Sequence, residues 1–314
     1  LFAKKKIIHS YPHCYRCETP LLYYALPSWF VNIQKVKSNL LKSAESMNWI
    51  PSHLKDGRFL HTMESAPDWT ISRNRYWASP LPIWKSKDGK IIFIKSFEDL
   101  KNNSKKSGNK YFVMRHGQTN NNIKNVVSIV KNSGNHLTEL GKEEIISNVK
   151  NLEGEDIDLI FTSPFNRTKE TTEIVKNVLG LNDDQVIEDD RLSEMSLPMY
   201  EGKTWTEYHT DYPKTVENFD RAPEGNESYA DIKRRMMSFL FEIEEKYKNK
   251  KILIVTHGGP AWLMVAGAKA LDINQTLELI RQSKDFHYFS NAEIHKLDFT
   301  PFPHDANYNL DFHR

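Results

Sequence analysis

The sequence contains only two cysteines, Cys14 and Cys17, and no long apolar run. Two cysteines cannot form a disulfide framework, and such low usage is typical of a reducing cytoplasm, where we expect the protein. No segment approaches the roughly 20 apolar residues of a membrane span, and no signal peptide is present, so we predict no membrane partner. A strong net charge is also missing, because 43 basic residues stand against 41 acidic ones. Charge alone therefore does not indicate nucleic acid.

The chain divides into two regions of different character. Its 314 residues leave room for two domains. Most of the tryptophans lie in the first hundred residues, whereas alternation of strand and helix patterns begins only after them. The chain starts at Leu1 in the middle of a pattern, and we expect it to be a piece excised from a longer protein.

The most informative stretch is a short apolar strand followed by a basic pair. Residues 111 to 114 are aromatic, apolar and β-branched, and Arg115-His116-Gly117 follows them. Open α/β sheets place their chemistry at the carboxyl ends of strands. An arginine fork and an imidazole nucleophile suit a phosphate, and Gly117 lacks a Cβ, which lets a ligand approach the backbone. The alternative is a strand that ends in a solvated basic pair.

Further polar groups follow other strands in the same way. The run 157–161 precedes Ser163-Pro-Phe-Asn-Arg167, and the run 252–255 precedes Thr256-His257-Gly258-Gly259. Glu194 lies in a loop between them. Three helix patterns separate these strands. The first begins at the cap Thr138 and continues to Leu152, with Leu140, Ile145 and Val149 near one face, and the second runs from Asn166 to Leu179 and stops at Gly180. The third has apolar residues at helical spacing: Ile232, Met236, Leu240, Ile243 and Tyr247. This alternation predicts an α/β fold with a mainly parallel, doubly wound sheet.

Together these motifs resemble the histidine phosphatase (phosphoglycerate mutase-like) superfamily. Its Arg-His-Gly, Ser-Pro-x-x-Arg, Leu-x-Glu and Thr-His-Gly-Gly motifs occur in order over about residues 109 to 296. The resemblance implies a phosphohistidine at His116 and a proton donated to the leaving oxygen by Glu194. It also implies phosphoryl contacts from Arg115, Arg167 and His257. The substrate-binding positions would be Gly117, Thr119, Asn122 and Gly258.

Elementary chemistry is consistent with these roles. Arginines supply fixed positive charge for a phosphoryl group. His116 must be neutral at its attacking nitrogen, so a carbonyl should hold its other N–H, and Glu194 needs a raised pKa to carry a proton near neutrality. No metal or other cofactor is required for this reaction. The stretch from Glu194 to Gly202 resembles the phosphatase version more than the mutase version, although Pro198 and Tyr200 replace its usual Gly and Trp.

The first region carries a Cys-x-x-Cys knuckle, Cys14 to Cys17. Two thiolates can hold one edge of a tetrahedral zinc, but a structural site needs four ligands. His9 and His13 are candidates to complete it, although flexible surface histidines are the simpler interpretation. Interleaved Arg and Trp between residues 68 and 84 favour either base stacking or, more simply, aromatic packing.

Residues 9–25, 28–31 and 68–84 resemble the isoleucyl-tRNA synthetase family of class I aminoacyl-tRNA synthetases. The resemblance implies that Cys14 and Cys17 are half of a zinc site completed upstream. It also implies that Ile71-Ser72-Arg73 and Trp77 border an aminoacylation pocket in the intact enzyme. The His-x-Gly-His and Lys-Met-Ser-Lys-Ser type motifs, which bind ATP in that family, do not occur here. We therefore expect tRNA and ATP to be partners of the intact synthetase only.

The two resemblances predict an insertion of one domain into the other. The segments are an irregular α+β synthetase fragment, 1–101, a solvated basic linker, 102–110, a phosphatase-like domain, 111–298, and a return to the synthetase, 299–314. A loop insertion needs neighbouring ends, so we expect Asn109 and Phe299 to lie within about 15 Å. The predicted activity is phosphomonoester hydrolysis on a small phosphorylated substrate. The alternative is a catalytically silent insert that binds a phosphorylated ligand or RNA.

Overall fold

A computed structural model of the chain describes residues 3–22, 25, 27–72, 81–283 and 288–311. It divides into two compact units, Leu1–Leu81 and Pro82–Arg314. Within the described ranges, no helix has both the length and the apolar character required to cross a membrane.

The first unit is small and has little core. It contains β1 (Phe30–Val31), α1 (Ile33–Ser46), a π-helical turn (Lys55–Phe59) that continues into α2 (Leu60–Ser65), and β2 (Trp69–Thr70). The two strands pair antiparallel, and the Asn32 side chain caps α1 by accepting from the Lys35 amide. Ile33 and Ala44 are the only buried apolar side chains among its described residues. The unit is thus irregular α+β, as the sequence predicts.

The second unit holds the remaining strands and helices. In chain order they are β3 (Ile83–Lys85), β4 (Ile91–Phe93), α3 (Phe97–Asn103), β5 (Lys110–Arg115), α4 (Asn120–Ile123), α5 (Glu139–Val149), β6 (Leu159–Thr162), α6 (Asn166–Leu179), β7 (Val186–Glu188), α7 (Trp205–Asp211), α8 (Tyr229–Lys246), β8 (Lys251–Thr256), α9 (Gly258–Ala268), α10 (Ile273–Arg281) and β9 (Ile294–Leu297). Strands β3 and β4 form an antiparallel hairpin.

The core of the second unit is a five-stranded sheet in the order β7-β6-β8-β5-β9. All neighbouring pairs are parallel except β5 and β9, so β9 is an antiparallel edge strand. Alternate residues of β5 face opposite sides: Tyr111 and Val113 join one buried cluster, Phe112 and Met114 the other. Helices α8 and α9 cover the first face, and α5 and α6 cover the second. The predicted mainly parallel, doubly wound α/β fold is confirmed.

The helices begin and end close to where the sequence places them. Thr138 caps α5 through the Gly141 amide, and Gly180 ends α6 in the left-handed conformation, with φ of 66°. The apolar face predicted for α5 is wrong at Leu140, which is 52% exposed. The buried stripe runs through Gly141, Ile145 and Val149, four residues apart, and Leu140 lies beside it.

Helices α8 and α9 approach each other closely at Gly267. A Cβ at this glycine would lie 2.2 Å from Sδ of Met237, so a larger residue requires the Met237 side chain to move. This close packing fixes the position of α9, whose amino-terminal end lies at the carboxyl end of β8.

The entry and exit of the predicted insert are neighbours. Tyr111 and Leu297 are paired on β5 and β9, and the Tyr111 and Phe299 rings lie 5.9 Å apart. Just outside these strands, Lys101 Nζ lies 2.6 Å from the Asp298 carboxylate. The expectation that the two ends lie side by side is therefore confirmed.

The predicted solvated linker is instead held at its carboxyl-terminal half by the buried carboxylate of Glu244 on α8. Glu244 accepts hydrogen bonds from Ser107 Oγ at 2.7 Å, Gly108 N at 3.1 Å, Asn109 Nδ2 at 3.2 Å and Tyr111 Oη at 2.9 Å. Burial and the charge of Glu244 raise the pKa of Tyr111, which keeps its proton available for this bond. The prediction that residues 102–110 are freely solvated was wrong for their second half. Glu244, which holds it, is a polar residue far along the chain, and no local apolar pattern indicates the contact.

Candidate active site

The carboxyl ends of β5, β6 and β8 bring the predicted site residues together. His116 follows β5 and His257 follows β8, and the backbone joins them because the His116 amide donates to the Thr256 carbonyl at 3.0 Å. Both rings are buried, and their centroids lie 5.3 Å apart. Arg167 reaches the same place from the first turn of α6.

Two contacts fix the tautomer of His116. Its Nδ1 lies 2.8 Å from the Gly117 carbonyl, which can only accept, so Nδ1 carries the proton. Its Nε2 lies 3.2 Å from Nε of Arg167, which can only donate, so Nε2 presents a lone pair. Burial, together with the positive charges of Arg167 and Arg115, holds the pKa of His116 well below 6.5. The carbonyl contact expected from the sequence is present, and Nε2 is left unprotonated with its lone pair toward Arg167.

Arg167 is buried but keeps its charge. Burial lowers its pKa to about 10, which still leaves the guanidinium protonated at neutral pH. Its Nη2 donates to the Ser128 carbonyl at 3.3 Å, and its guanidinium lies over the Phe165 ring, 4.6 Å from the centroid. The same ring lies edge-on to His257 with centroids 4.9 Å apart. Phe165 thus holds both groups, which the sequence motif did not reveal.

Arg115 is the last residue of β5 and contacts the segment before β9. Its Nη1 donates to the Phe289 carbonyl at 2.8 Å, while its Nε is buried with no partner among the residues that the structure describes. Desolvation lowers the pKa of Arg115. A Cβ at Gly258 would lie 3.3 Å from this Nε, so the glycine gives the guanidinium room beside the start of α9.

Glu194 completes the set of five. Its Oε2 lies 3.8 Å from Nη2 of Arg167 and 3.7 Å from Nδ1 of His257, while its Oε1 accepts from the Met195 amide at 2.9 Å. Its loop is tied to β8, because Thr256 Oγ1 donates to the Leu192 carbonyl at 2.7 Å. The carboxylate is therefore close to both cationic and imidazole groups without a direct hydrogen bond to either.

A salt bridge that the sequence did not predict clamps the Glu194 loop. Arg235 of α8 donates to the backbone carbonyls of Arg191 and Glu194 and pairs with Glu227 at 2.7 Å. Glu227 in turn accepts from the Ser196 amide at 2.9 Å. A carboxylate eight residues before an arginine gives no local signal, since the contact depends on how α8 packs.

The ring of His257 is held by a hydrogen bond with Ser163. Its Nε2 lies 2.8 Å from Ser163 Oγ, and its Nδ1 is buried with no hydrogen-bond partner in the described part of the chain. Burial, then the charge of Arg167, lowers the pKa of His257 well below 6.5, so the ring is neutral at neutral pH. At 3.7 Å from Glu194 this neutral ring does not form an ion pair.

The remaining predicted binding positions lie in the turn after β5. Thr119 and Asn122 satisfy each other, because Oδ1 of Asn122 accepts from both the hydroxyl and the amide of Thr119. A Cβ at Gly117 would lie 2.6 Å from the Gly141 carbonyl and 2.7 Å from Ile145, so the glycine makes room for α5. Its contact with a ligand stays a prediction.

The cysteine knuckle lies in the first unit. Cys14 and Cys17 are free thiols on a turn in which the Glu18 amide donates to the Cys14 carbonyl at 2.8 Å. Hydrogen bonds from Thr19 lower the pKa of Cys17. Within the described ranges no three His, Cys, Asp or Glu side chains are grouped to hold a metal, so the two thiols and nearby histidines do not form a complete donor set. Zinc at this knuckle stays a prediction that needs ligands from elsewhere.

Two positions that the synthetase resemblance singled out, Arg73 and Trp77, lie outside the described residues. Of their neighbours, Ser72 accepts through Oγ from the Trp29 amide at 2.7 Å, and Ile71 is partly exposed.

Comparison with known proteins identifies both parts of the chain. The pattern of class I tRNA synthetases (I, L, M and V) matches residues 14–159, and that of the histidine phosphatase superfamily (branch 1) matches residues 111–301. The isoleucine–tRNA ligase of Treponema denticola is 54% identical over 102 residues, which cover 32% of this chain and 9% of that protein. That of Chlamydia muridarum is 51% identical over 100 residues, which cover 32% and 10%. The chain thus spans about a tenth of the length of these relatives.

The solved structure of Mycobacterial hydrolase 1 superimposes on the chain with a TM-score of 0.50 at 23% sequence identity. The superposition includes 59% of this chain and 89% of the hydrolase chain, and at this identity it shows a shared fold alone. The amino-terminal part is therefore similar to isoleucine–tRNA ligases. Because the histidine phosphatase pattern matches more than half of the residues, and the fold agrees with it, the chain belongs to the histidine phosphatase superfamily.

Proposed function

We propose that the chain hydrolyses phosphomonoesters through a covalent intermediate on His116. The observation that carries the proposal is the state of this ring: Nδ1–H is bound to a carbonyl and the Nε2 lone pair faces Arg167. A buried imidazole in this tautomer is a ready nucleophile for phosphorus, and the two arginines supply the charge that holds a phosphoryl group.

The reaction has two balanced steps. In the first, the Nε2 lone pair of His116 attacks phosphorus while the ester oxygen leaves with a proton from Glu194. In the second, water attacks the phosphohistidine and gives a proton to the Glu194 carboxylate, which releases inorganic phosphate and restores His116. Arg115, Arg167 and His257 hold the three non-bridging oxygens throughout. Such a reaction consists mainly of positioning and electrostatic stabilisation, which these buried groups provide.

Turnover of p-nitrophenyl phosphate by the full chain tests the proposal. We expect His116→Ala to abolish turnover, whereas His136→Ala, a change at an exposed histidine, retains it. Rapid acid-free quenching of the wild type should capture a phosphohistidine, visible by ³¹P NMR, that His116→Ala lacks. Equal turnover by wild type and His116→Ala would refute the mechanism. Phosphate binding without any turnover would instead favour a silent insert that binds a phosphorylated ligand or RNA.

For the parent protein we infer isoleucine–tRNA ligase activity in the cytoplasm, with tRNA and ATP as partners of the intact enzyme only. Similarity to the isoleucine–tRNA ligases over a third of this chain supports the inference. The neighbouring ends of the insert support the inference too, because an inserted domain whose two ends are adjacent does not push apart the two ends of the synthetase loop that carries it. Aminoacylation by the full parent, with and without residues 105–300, is the test. Loss of all charging activity in both forms would count against it.

A further inference from the structure

The hydroxyl of Ser163 is a buried group that the proposed mechanism has not used. Ser163 is fully buried after β6, and its backbone is fixed, because its amide donates to the Val255 carbonyl at 3.0 Å and its carbonyl accepts from Thr168 Oγ1 at 2.8 Å. Its Oγ lies 2.8 Å from Nε2 of His257, which is its single hydrogen-bond partner among the described residues. The hydroxyl is therefore dedicated to His257.

The direction of this hydrogen bond decides what His257 offers to the site. A neutral imidazole carries one N–H. If Nε2–H donated to Ser163, the hydroxyl proton would have no acceptor, and the Nδ1 lone pair would face the Glu194 carboxylate 3.7 Å away. If Ser163 donates, Nε2 accepts and Nδ1 carries the proton. The second arrangement gives the Ser163 proton an acceptor and avoids placing a lone pair against an anion. It leaves the Nδ1 proton as the one ring group without a partner in the described part of the chain.

We propose that Ser163 is a positioning residue: its O–H donates to Nε2 of His257 and holds the ring as the Nδ1–H tautomer, so that Nδ1–H donates to a phosphoryl oxygen. The assignment deepens the proposed phosphatase function and rests on it for the identity of the ligand. It also accounts for Nδ1 of His257, a buried group that otherwise has no partner.

The two histidines then have opposite tautomers. His116 keeps its proton on Nδ1, bonded to the Gly117 carbonyl, and has a lone pair on Nε2, to which Arg167 donates in the ligand-free site. His257 gives its Nε2 lone pair to Ser163 and turns its Nδ1 proton toward the ligand. Two rings 5.3 Å apart therefore supply one nucleophile and one hydrogen-bond donor. A change of tautomer would remove the nucleophilic lone pair of His116 or the donor proton of His257.

Nitrogen-15 NMR of the ligand-free full chain tests the assignment directly. In the wild type we expect protonated Nδ1 and unprotonated Nε2 for His257, and in Ser163→Ala a mixture of both tautomers. A matched control is Thr172→Val, which removes a buried hydroxyl that donates to Thr162 Oγ1 at 2.9 Å and does not touch His257. The control should keep the wild-type tautomer.

Kinetics provide the second measurement. We expect Ser163→Ala to weaken inorganic phosphate binding and to lower kcat/KM for p-nitrophenyl phosphate by roughly tenfold to a hundredfold, because the phosphoryl oxygen, a charged acceptor, loses the Nδ1–H of His257. Ser163→Thr, which retains the hydroxyl, should recover most of this loss, and Thr172→Val should lose little.

Three outcomes overturn the assignment. The first is Nε2–H on His257 in the wild type, the second is an unchanged tautomer in Ser163→Ala, and the third is unchanged kcat/KM in that variant. If the wild type shows the Nδ1–H tautomer and binds phosphate but hydrolyses no ester, the proposed hydrolysis fails and the Ser163 assignment stands. The two proposals are therefore tested separately.

Discussion

Acid should destabilise the fold through the two site histidines. Burial and the charge of Arg167 hold the pKa of both His116 and His257 well below 6.5. In the unfolded chain each imidazole titrates near its ordinary value of about 6.5. Below that pH the unfolded chain binds protons that the folded chain does not, so stability is complete above pH 6.5 and falls as the pH drops toward the folded pKa values.

The size of the effect follows from linkage. Each histidine costs about 1.4 kcal/mol of unfolding free energy per pH unit while its unfolded form is protonated and its folded form is neutral. Between about pH 7.5 and 5.5, the pair therefore costs about 2.7 kcal/mol. That is a large part of the roughly 5–15 kcal/mol that stabilises a typical domain.

Urea denaturation followed by circular dichroism at the two pH values measures this loss. The variant His116→Asn/His257→Asn should lose about 2.7 kcal/mol of the pH dependence, while His136→Asn, at a site that is 57% exposed, should keep it. Only the difference between pH values is compared, because the double variant changes stability at both. The reasoning is refuted if the wild type and the double variant respond to pH in the same way.

Three further changes probe particular contacts. Arg235→Gln should release the Glu194 loop and lower kcat/KM for phenyl phosphate by about tenfold or more, with a smaller loss for p-nitrophenyl phosphate, whose leaving group needs no proton; equal losses would contradict the clamp. Glu244→Gln removes one of two carboxylate acceptors for four donors and should cost about 2 kcal/mol in urea denaturation, and an unchanged midpoint would show that the network is dispensable. Gly267→Ala places a methyl group against Met237 and should cost about 1–3 kcal/mol, seen as a lower Tm; a variant as stable as the wild type would mean that Met237 moves freely.

Local sequence signals predicted the elements that depend on local physics. Helix α6 was placed correctly because Gly180 can adopt the left-handed conformation that ends it. Strands β5 and β8 were found because both faces of each are buried, which makes their runs continuously apolar. Strand β6 begins at Leu159, two residues later than predicted: Ile157 is buried in the core without belonging to the strand.

Features that depend on distant packing could not be predicted. The basic composition of residues 101–110 indicated solvation, and nothing local indicates that Glu244, far along the chain, anchors the second half. The role of Arg235 depends in the same way on the docking of α8. Motif order indicated the five residues that the fold brings together after β5, β6 and β8, but the contact of Ser163 with His257 joins positions that are far apart in sequence.

The antiparallel pairing of β5 and β9 has a mechanical consequence for a guest domain. Both connections leave from the end of these strands that lies opposite His116, which is separated from them by the length of β5, about 20 Å at strand rise. A force that moves the two connections apart would separate β9 from β5, beginning at the paired residues next to the connections. Strand β9 lies at the edge of the sheet and has a neighbour on one side only. If the domain is an insert, tension on its two ends would separate β9 first, at the end of the sheet that lies away from His116.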